Sequence, residues 1–401
     1  MKKISIYSLL LTMILGSCSE VIIYDPTDEE KAKYGLVYMP RAERGLNTIP
    51  LSNKPEEKTL EYSAYYGGPV DATKDIKVSF SVDASKVAEY NEKNGTNYKL
   101  LPASAVSLEA TEAIIKAGER STPTLYGKVI SGDHLDLFEN YLLPISMQAD
   151  ADVNADFTTV YFLFPVSYPA GEVPRELVAN LGANWGKFIT HAARGSLLRH
   201  DHANDVWIHR PDGDGKFNLP PELIGVNWGD SESFYLINDE SMLVRNHPYW
   251  AGLFRFSIDP IDHVLHGYGA WETFWLGDFW DQYVIIPFGE HMLTVQSDGV
   301  LRRQNMYTHP NASKTEMGSG FNGFKQILSY RNNALLALDN AGNLYLYPVT
   351  AEMTLDARRL VGTGWDIYQR IIVSGDDILG LDLQGQIYRY EFNPNGFYPL
   401  K

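Results

Sequence analysis

Five large aromatic residues, Trp185, Trp228, Trp280, Phe321 and Trp365, follow one another at spacings of 43, 52, 41 and 44 residues. Each stands three residues after a glycine, in "GANWGKF", "GVNWGDS", "GDFWDQY", "GSGFNGF" and "GTGWDIY". A second element follows in register: "LLRHDHANDVWIHR" (197–210), "MLTVQSDGVLRRQN" (292–305), "LLALDNAGNLYLYP" (335–348) and "ILGLDLQGQIYRYE" (378–391). It offers Asp201, Asp339, Asn340 and Asp382 in a turn and Tyr345 and Tyr388 just beyond. Aromatic faces stack on the C–H faces of sugar rings, and carboxylates and amides exchange paired hydrogen bonds with hydroxyls. The same residue types have structural uses. Rings pack one repeat on the next, and aspartates bond their own backbone in turns. Both uses stay open at this point.

Each repeat is about 45 residues long and holds four strand signals. In the last they are "YQRIIV", "ILGLD", "QIYRYEF" and "FYPL", parted by Gly375-Asp376, Leu383-Gln384-Gly385 and the Asn393–Gly396 turn. Such turns favour antiparallel hairpins. Four-stranded units repeated around an axis protect their own edges, so the pattern predicts a propeller of five blades over residues 175–401. Strand parity puts the Gly-x-x-aromatic crossing and the Asp-x-x-Gly turn near one face. The second unit, "MLVRNHPYWAGLFRF" (242–256), carries an insertion, and Asn246 and Gln296 stand where other units have Asp. Closure has two candidates: "PRELV" (174–178), which echoes "ARRLV" (357–361), and the final "FYPL".

The repeat resembles tachylectin-type five-bladed propeller lectins, on Gly362-x-Gly364-Trp365-Asp366-x-Tyr368 and the Leu335–Tyr345 and Leu379–Tyr388 hairpins. The resemblance implies pockets between blades for N-acetylated or other simple sugars, one per repeat. The departures at Asn246 and Gln296 put equal sites in all blades in doubt.

The N-terminus reads "MKKISIYSLLLTMILGSC", two lysines before an apolar stretch too short to span a bilayer. Residues 1–17 form a secretory signal, and the segment before Cys18 resembles a bacterial lipobox. That resemblance implies cleavage, lipidation of Cys18 and a firm multi-chain anchor. Residues 18–35 become a tether. Residues 36–168 alternate apolar and polar residues in short strands, as in "KVSFSVDAS" and "TTVYFLFPV". One insert, "VAEYNEKNGTNYKLLPASAVSL", predicts a short helix stopped at Asn94-Gly95. That insert, with "AGERSTPTLYGKV" and "ENYLLPISM", resembles a domain of unknown function at the N-termini of Bacteroidetes polysaccharide-utilisation lipoproteins. The resemblance implies an immunoglobulin-like β-sandwich used as a spacer, without catalysis. Residues 169–174 are a linker.

Other chemistries fit less well. The net charge is −16 with no basic block, which excludes nucleic acid as the expected partner. Cys18 is the only cysteine, so no disulfide framework forms within one chain. Asp150, Asp152, Asn154 and Asp156 alternate as in a calcium loop, without its glycine or distal glutamate; a solvated turn fits better. "PDGDGKF" (211–217) reads as a tight turn, with Lys216 at a would-be ligand position. His200, His202 and His209 could place imidazoles on one side of a strand, but zinc needs more ligands. No acids stand apart as a glycosidase pair.

The chain is thus expected to be all-β, an N-terminal immunoglobulin-like β-sandwich followed by a tachylectin-like five-bladed β-propeller. It is expected to be non-catalytic and cofactor-free, anchored in the outer membrane at the cell surface, with a glycan as ligand. The rival expectation is a scaffold docking a partner of an outer-membrane glycan-uptake complex. A glycoside hydrolase ranks last.

Overall fold

The computed structural model describes residues 27, 34–192, 195–229, 231–238, 241–246, 252–257, 274–277, 279–280, 283–306, 308–309 and 311–401. The signal segment, Cys18 and most of the tether lie outside the described residues. The chain is all-β, and among the described residues no sheet closes into a barrel. No helix there is long and apolar enough to cross a membrane. Two compact units emerge, one ending at Pro165 and the other running from Val166 to Lys401 with two short earlier segments.

The first unit follows from period-two patterning. In Ile76–Val82, Ile76, Val78 and Phe80 are buried while Lys77 and Ser79 face water. That strand joins Asn140–Ala149, which pairs in turn with Thr159–Ser167 in a seven-stranded sheet. Glu57–Tyr62, Leu125–Ile130 and Val106–Leu108 make a three-stranded sheet. Tyr62 meets Phe80 edge-on at 5.1 Å, joining the two sheets through the core. The expected helix is present as Ser85–Asn94, ended by Gly95 in the left-handed region at φ 64°. Asn91 explains the motif that follows: its amide donates to Tyr98 O and accepts from Tyr98 N and the Thr96 hydroxyl. Two of the calcium-like residues serve the backbone, Asp150 accepting from Lys77 N–H and Asn154 from Asp156 N–H.

The second unit is built from five consecutive antiparallel sheets. The first holds Phe188–His191, Leu197–His200, Val206–His209 and Glu222–Gly225. The second runs from Ser231–Asn238 to Phe274–Trp275, and the third from Val284–Phe288 to Thr315–Gly318. The fourth runs from Phe324–Tyr330 to Arg359–Thr363. The fifth holds Arg370–Ser374, Asp377–Leu381 and Gln386–Tyr390, completed by Glu176–Asn180. The leading strand of each sheet lies against the leading strands of its two neighbours, and that of the fifth returns to that of the first. Of the two closure candidates, the N-terminal one pairs in the fifth sheet, with Glu176 opposite Arg389 and Asn180 opposite Gln386. Tyr398–Pro399 instead runs parallel to Gly362–Thr363 on the fourth sheet.

Each second strand carries an apolar doublet at or one residue after its start: Leu197-Leu198, Met242-Leu243, Met292-Leu293, Leu335-Leu336 and Ile378-Leu379. Successive side chains point to opposite faces of a strand. One member of each doublet therefore enters the core against the preceding sheet and the other the core against the following sheet. A sheet covered on both faces has no solvent side to mark with polar residues, which is why these strands lack alternation. Each such side chain contributes about 1.5–3 kcal/mol on burial.

Candidate functional site

The two recurring motifs touch. The aromatic N–H of one unit bonds the last residue of the preceding unit's turn: Trp228 to Asn204 O at 2.8 Å, Phe321 to Gly299 O at 2.9 Å and Trp365 to Gly342 O at 3.0 Å. Leu181 N–H reaches Gly385 O at 2.8 Å and completes the series across the closure. The turn residues all have positive φ, between 69° and 83°. Glycine is required there for a second reason. A Cβ on Gly342 would strike Asp366, and one on Gly299 would strike Asn322. Where the turn residue is Asn204, the facing position is Gly229. One member of each contacting pair is thus kept without a side chain.

The five key aromatics are interior. Trp185, Trp228, Trp280, Phe321 and Trp365 are 8%, 5%, 0%, 2% and 0% exposed. Each belongs to a different one of the five inter-sheet cores. The glycine three residues earlier gives the ring its seat, since a Cβ on Gly225 or Gly362 would collide with the Trp228 or Trp365 indole. The stacking role expected of these rings has no open face to act through; they wedge neighbouring sheets together.

The expected carboxylates are similarly engaged. Asp201 accepts from Ala203 N–H, Asp205 N–H and the Trp207 indole, and Asp339 from Ala341 N–H, Asn343 N–H and the Asn343 amide. Asp382 accepts from Gln384 and Gln386 N–H. Burial pushes the Asp201 carboxyl up, but its three hydrogen bonds outweigh this and hold it below the usual range. Asn340 is exposed at the turn tip. Tyr345 and Tyr388 are half-buried, each with a guanidinium on its ring, Arg358 at 4.6 Å and Arg175 at 4.1 Å.

The histidines do not converge. His209 lies opposite Leu197 and His200 opposite Val206, so the two imidazoles face opposite sides of the first sheet. Burial, helped by Arg199, pushes His209 down to about 4, and the Arg199 guanidinium donates to its Nε2 at 3.2 Å. Among the described residues no three His, Cys, Asp or Glu side chains gather into a metal site.

Open aromatic surface is found elsewhere on the same crossing. Between the second and third sheets, Trp275 is 54% and Phe279 is 61% exposed, while Leu276 and Trp280 beside them are buried. Phe279 has φ +67°. Its counterparts before the other key aromatics are Asn184, Asn227, Gly320 and Gly364. A bulky aromatic in the left-handed region costs about 1–2 kcal/mol, and this ring stays mostly exposed, so little packing among the described residues offsets it. Sequence reasoning missed it because the neighbouring Trp280 absorbed the motif. The signal was there: Phe279 is the one large side chain at its repeat position.

Two concave features accompany this surface. An open cavity of about 480 Å³ is lined by the five leading strands of the second unit, Val284 among them. A cleft of about 870 Å³ in the first unit mixes Lys77 and Lys116 with Glu112 and Asp150.

A family model described only as a "-like, N-terminal domain" matches residues 29–153, under half of the chain. No curated protein matches. Among solved structures, a Bacteroides ovatus protein proposed to bind carbohydrate aligns at 14% identity and TM-score 0.32, over 88% of this chain and 95% of its own. A second Bacteroides ovatus protein, of unknown function, aligns at 12% identity and TM-score 0.29, over 91% and 92%. EndoBT-3987 of Bacteroides thetaiotamicron, solved with a Man5GlcNAc product, aligns at 14% identity and TM-score 0.25 over 39% of this chain and 34% of its own. Likeness this loose carries neither fold detail nor activity across to this chain.

Proposed function

We propose that the protein is a non-catalytic, lipid-anchored glycan-binding protein of the cell surface. An immunoglobulin-like sandwich carries a five-bladed propeller, and carbohydrate is held on the crossing face at Phe279 and Trp275. The observation that carries the reading is Phe279, an exposed ring kept on backbone that favours glycine. Strain of this kind persists where a side chain is wanted at that point, and an open aromatic face suits the C–H face of a sugar. The cyclic contact of five leading strands and the Glu176–Asn180 closure support the propeller. Asp201, Asp339 and Asp382 are engaged by their own turns, so none of these three stands free as a glycosidase acid.

Affinity electrophoresis in polysaccharide gels tests the proposal. Phe279→Ala should lose retention while its melting temperature holds. Retention unchanged in Phe279→Ala and Trp275→Ala would sink the site, and sugar release by the pure protein would sink the non-catalytic reading. Loss of membrane association in Cys18→Ala checks the anchor.

A further inference from the structure

The axial cavity of the second unit inverts the charge of the chain. The protein carries −16 overall, yet Lys325, Arg331 and Arg370 line this cavity and, among the described residues, no carboxylate does. Arg331 is matched by Asp376 at 2.5 Å. The other two cations have backbone partners. Lys325 Nζ donates to Tyr368 O at 2.9 Å, and Arg370 donates to Ile189 O at 3.3 Å with its guanidinium 4.1 Å from the Phe188 ring centre. Asp366, whose carboxyl feels the Lys325 charge weakly, is itself paired with Lys401 at 2.7 Å. Among the described residues neither Lys325 nor Arg370 has an ion-pair partner.

The wall that holds them is fixed. Gln326, between them in the ring, accepts from Ile371 N–H at 2.8 Å and donates to Ile371 O at 3.3 Å. Two cations are therefore held on adjacent leading strands, Arg370 donating to the strand that follows around the ring and Lys325 to Tyr368 just before its neighbour. Arg370 is half-buried and Lys325 is exposed; a part-buried charge without a counter-ion is costly, and an incoming anion recovers part of that cost at Arg370. The guanidinium fork keeps further N–H donors beyond the one used on Ile189 and suits an oxyanion. A volume of about 480 Å³ lies within the range of small-ligand sites and admits a monosaccharide.

We infer that the axial cavity binds an anionic sugar unit, with Arg370 and Lys325 taking its carboxylate or sulfate. This deepens the glycan reading above and rests on it. The experiment is isothermal titration of the full chain with glucuronic acid, galacturonic acid, 6-sulfated N-acetylglucosamine and their uncharged counterparts. The acidic sugars should bind about tenfold or more tightly than the neutral ones and weaken as salt rises. Carboxylated against sulfated ligands separates the two oxyanion sources. Arg370→Gln should weaken acidic-sugar binding about 10–100-fold and leave neutral polysaccharide retention at Phe279 unchanged. Lys325→Gln, away from the Arg370 stack on Phe188, repeats the test should the first variant fold poorly. Equal affinity for acidic and neutral sugars, or unchanged affinity in a folded variant, overturns the inference. Retention of neutral polysaccharide without any acidic-sugar binding overturns it alone; absence of both overturns the glycan reading as well.

Discussion

The openings of the third and fifth repeats share one skeleton and fill it differently. Trp280 and Trp365 are both 0% exposed, and the residues before them, Phe279 and Gly364, have φ of +67° and +76°. In the fifth repeat glycine sits where the backbone asks for it. In the third an exposed phenyl ring does. Burial accounts for the tryptophans, and backbone preference accounts for Gly364. Neither accounts for Phe279. The difference teaches how to part scaffold from site in a repeat: the shared residues hold the sheets, and the residue that breaks the local rule without repayment in packing is the one free to meet a ligand.

That contrast can be broken from its strongest side first. Trp365→Ala should cost about 3–5 kcal/mol, read as a shift in the urea midpoint, and Trp280→Ala a similar amount. Should either variant keep its stability and lose only glycan, the packing assignment fails. A finer version uses Phe. The Trp365 indole donates to Tyr398 O at 3.3 Å, and Trp280 Nε1 has no partner among the described residues. Trp365→Phe should thus cost about 1 kcal/mol more than Trp280→Phe.

The first repeat adds a pH handle absent from the fifth, where Tyr390 takes the place of His209. Unfolded, His209 takes up a proton as pH falls through about 6.5. Folded, it stays neutral down to about 4. Stability should therefore be full above the upper value and fall by up to about 3 kcal/mol between the two. His209→Gln should flatten part of that fall in denaturation midpoints at pH 7.5 and 4.5; an unchanged slope would place the acid sensitivity elsewhere. The smallest effect is at Phe279. Its replacement by glycine should raise stability by up to about 1 kcal/mol while weakening retention in glycan gels.

Much of the skeleton was legible because it rests on short-range geometry. Gly-x-x-aromatic is a ring and its seat, and Asp-x-x-Gly is a turn that bonds itself, so both leave local spacing in the chain. The apolar doublets and the Asn94-Gly95 helix stop are equally local. What residue types could not tell was exposure. A tryptophan that packs and one that stacks are spelled alike, and only the neighbouring sheet decides between Trp280 and Trp275. The orientation of the histidines was hidden for a related reason. His200 and His209 lie on paired strands, and the register that puts Leu197 opposite His209 sends the two rings to opposite faces. The axial cations were invisible because Lys325 and Arg370 are distant in sequence and meet only when the leading strands gather.

The closing strand bears on how such a chain is made. Glu176–Asn180 is the earliest-synthesised strand of its unit, and its partner Gln386–Arg389 is the last but one. Their contact spans more than two hundred residues of sequence, and Glu176 pairs with Arg389 across it. Loop closure over that distance is slow and comes late. The fifth sheet therefore cannot be completed until residues 386–389 have been synthesised. A ribosome stalled anywhere before residue 386 leaves that edge unprotected, and the second unit alone, permuted to begin at Arg370, would make the same sheet from neighbours.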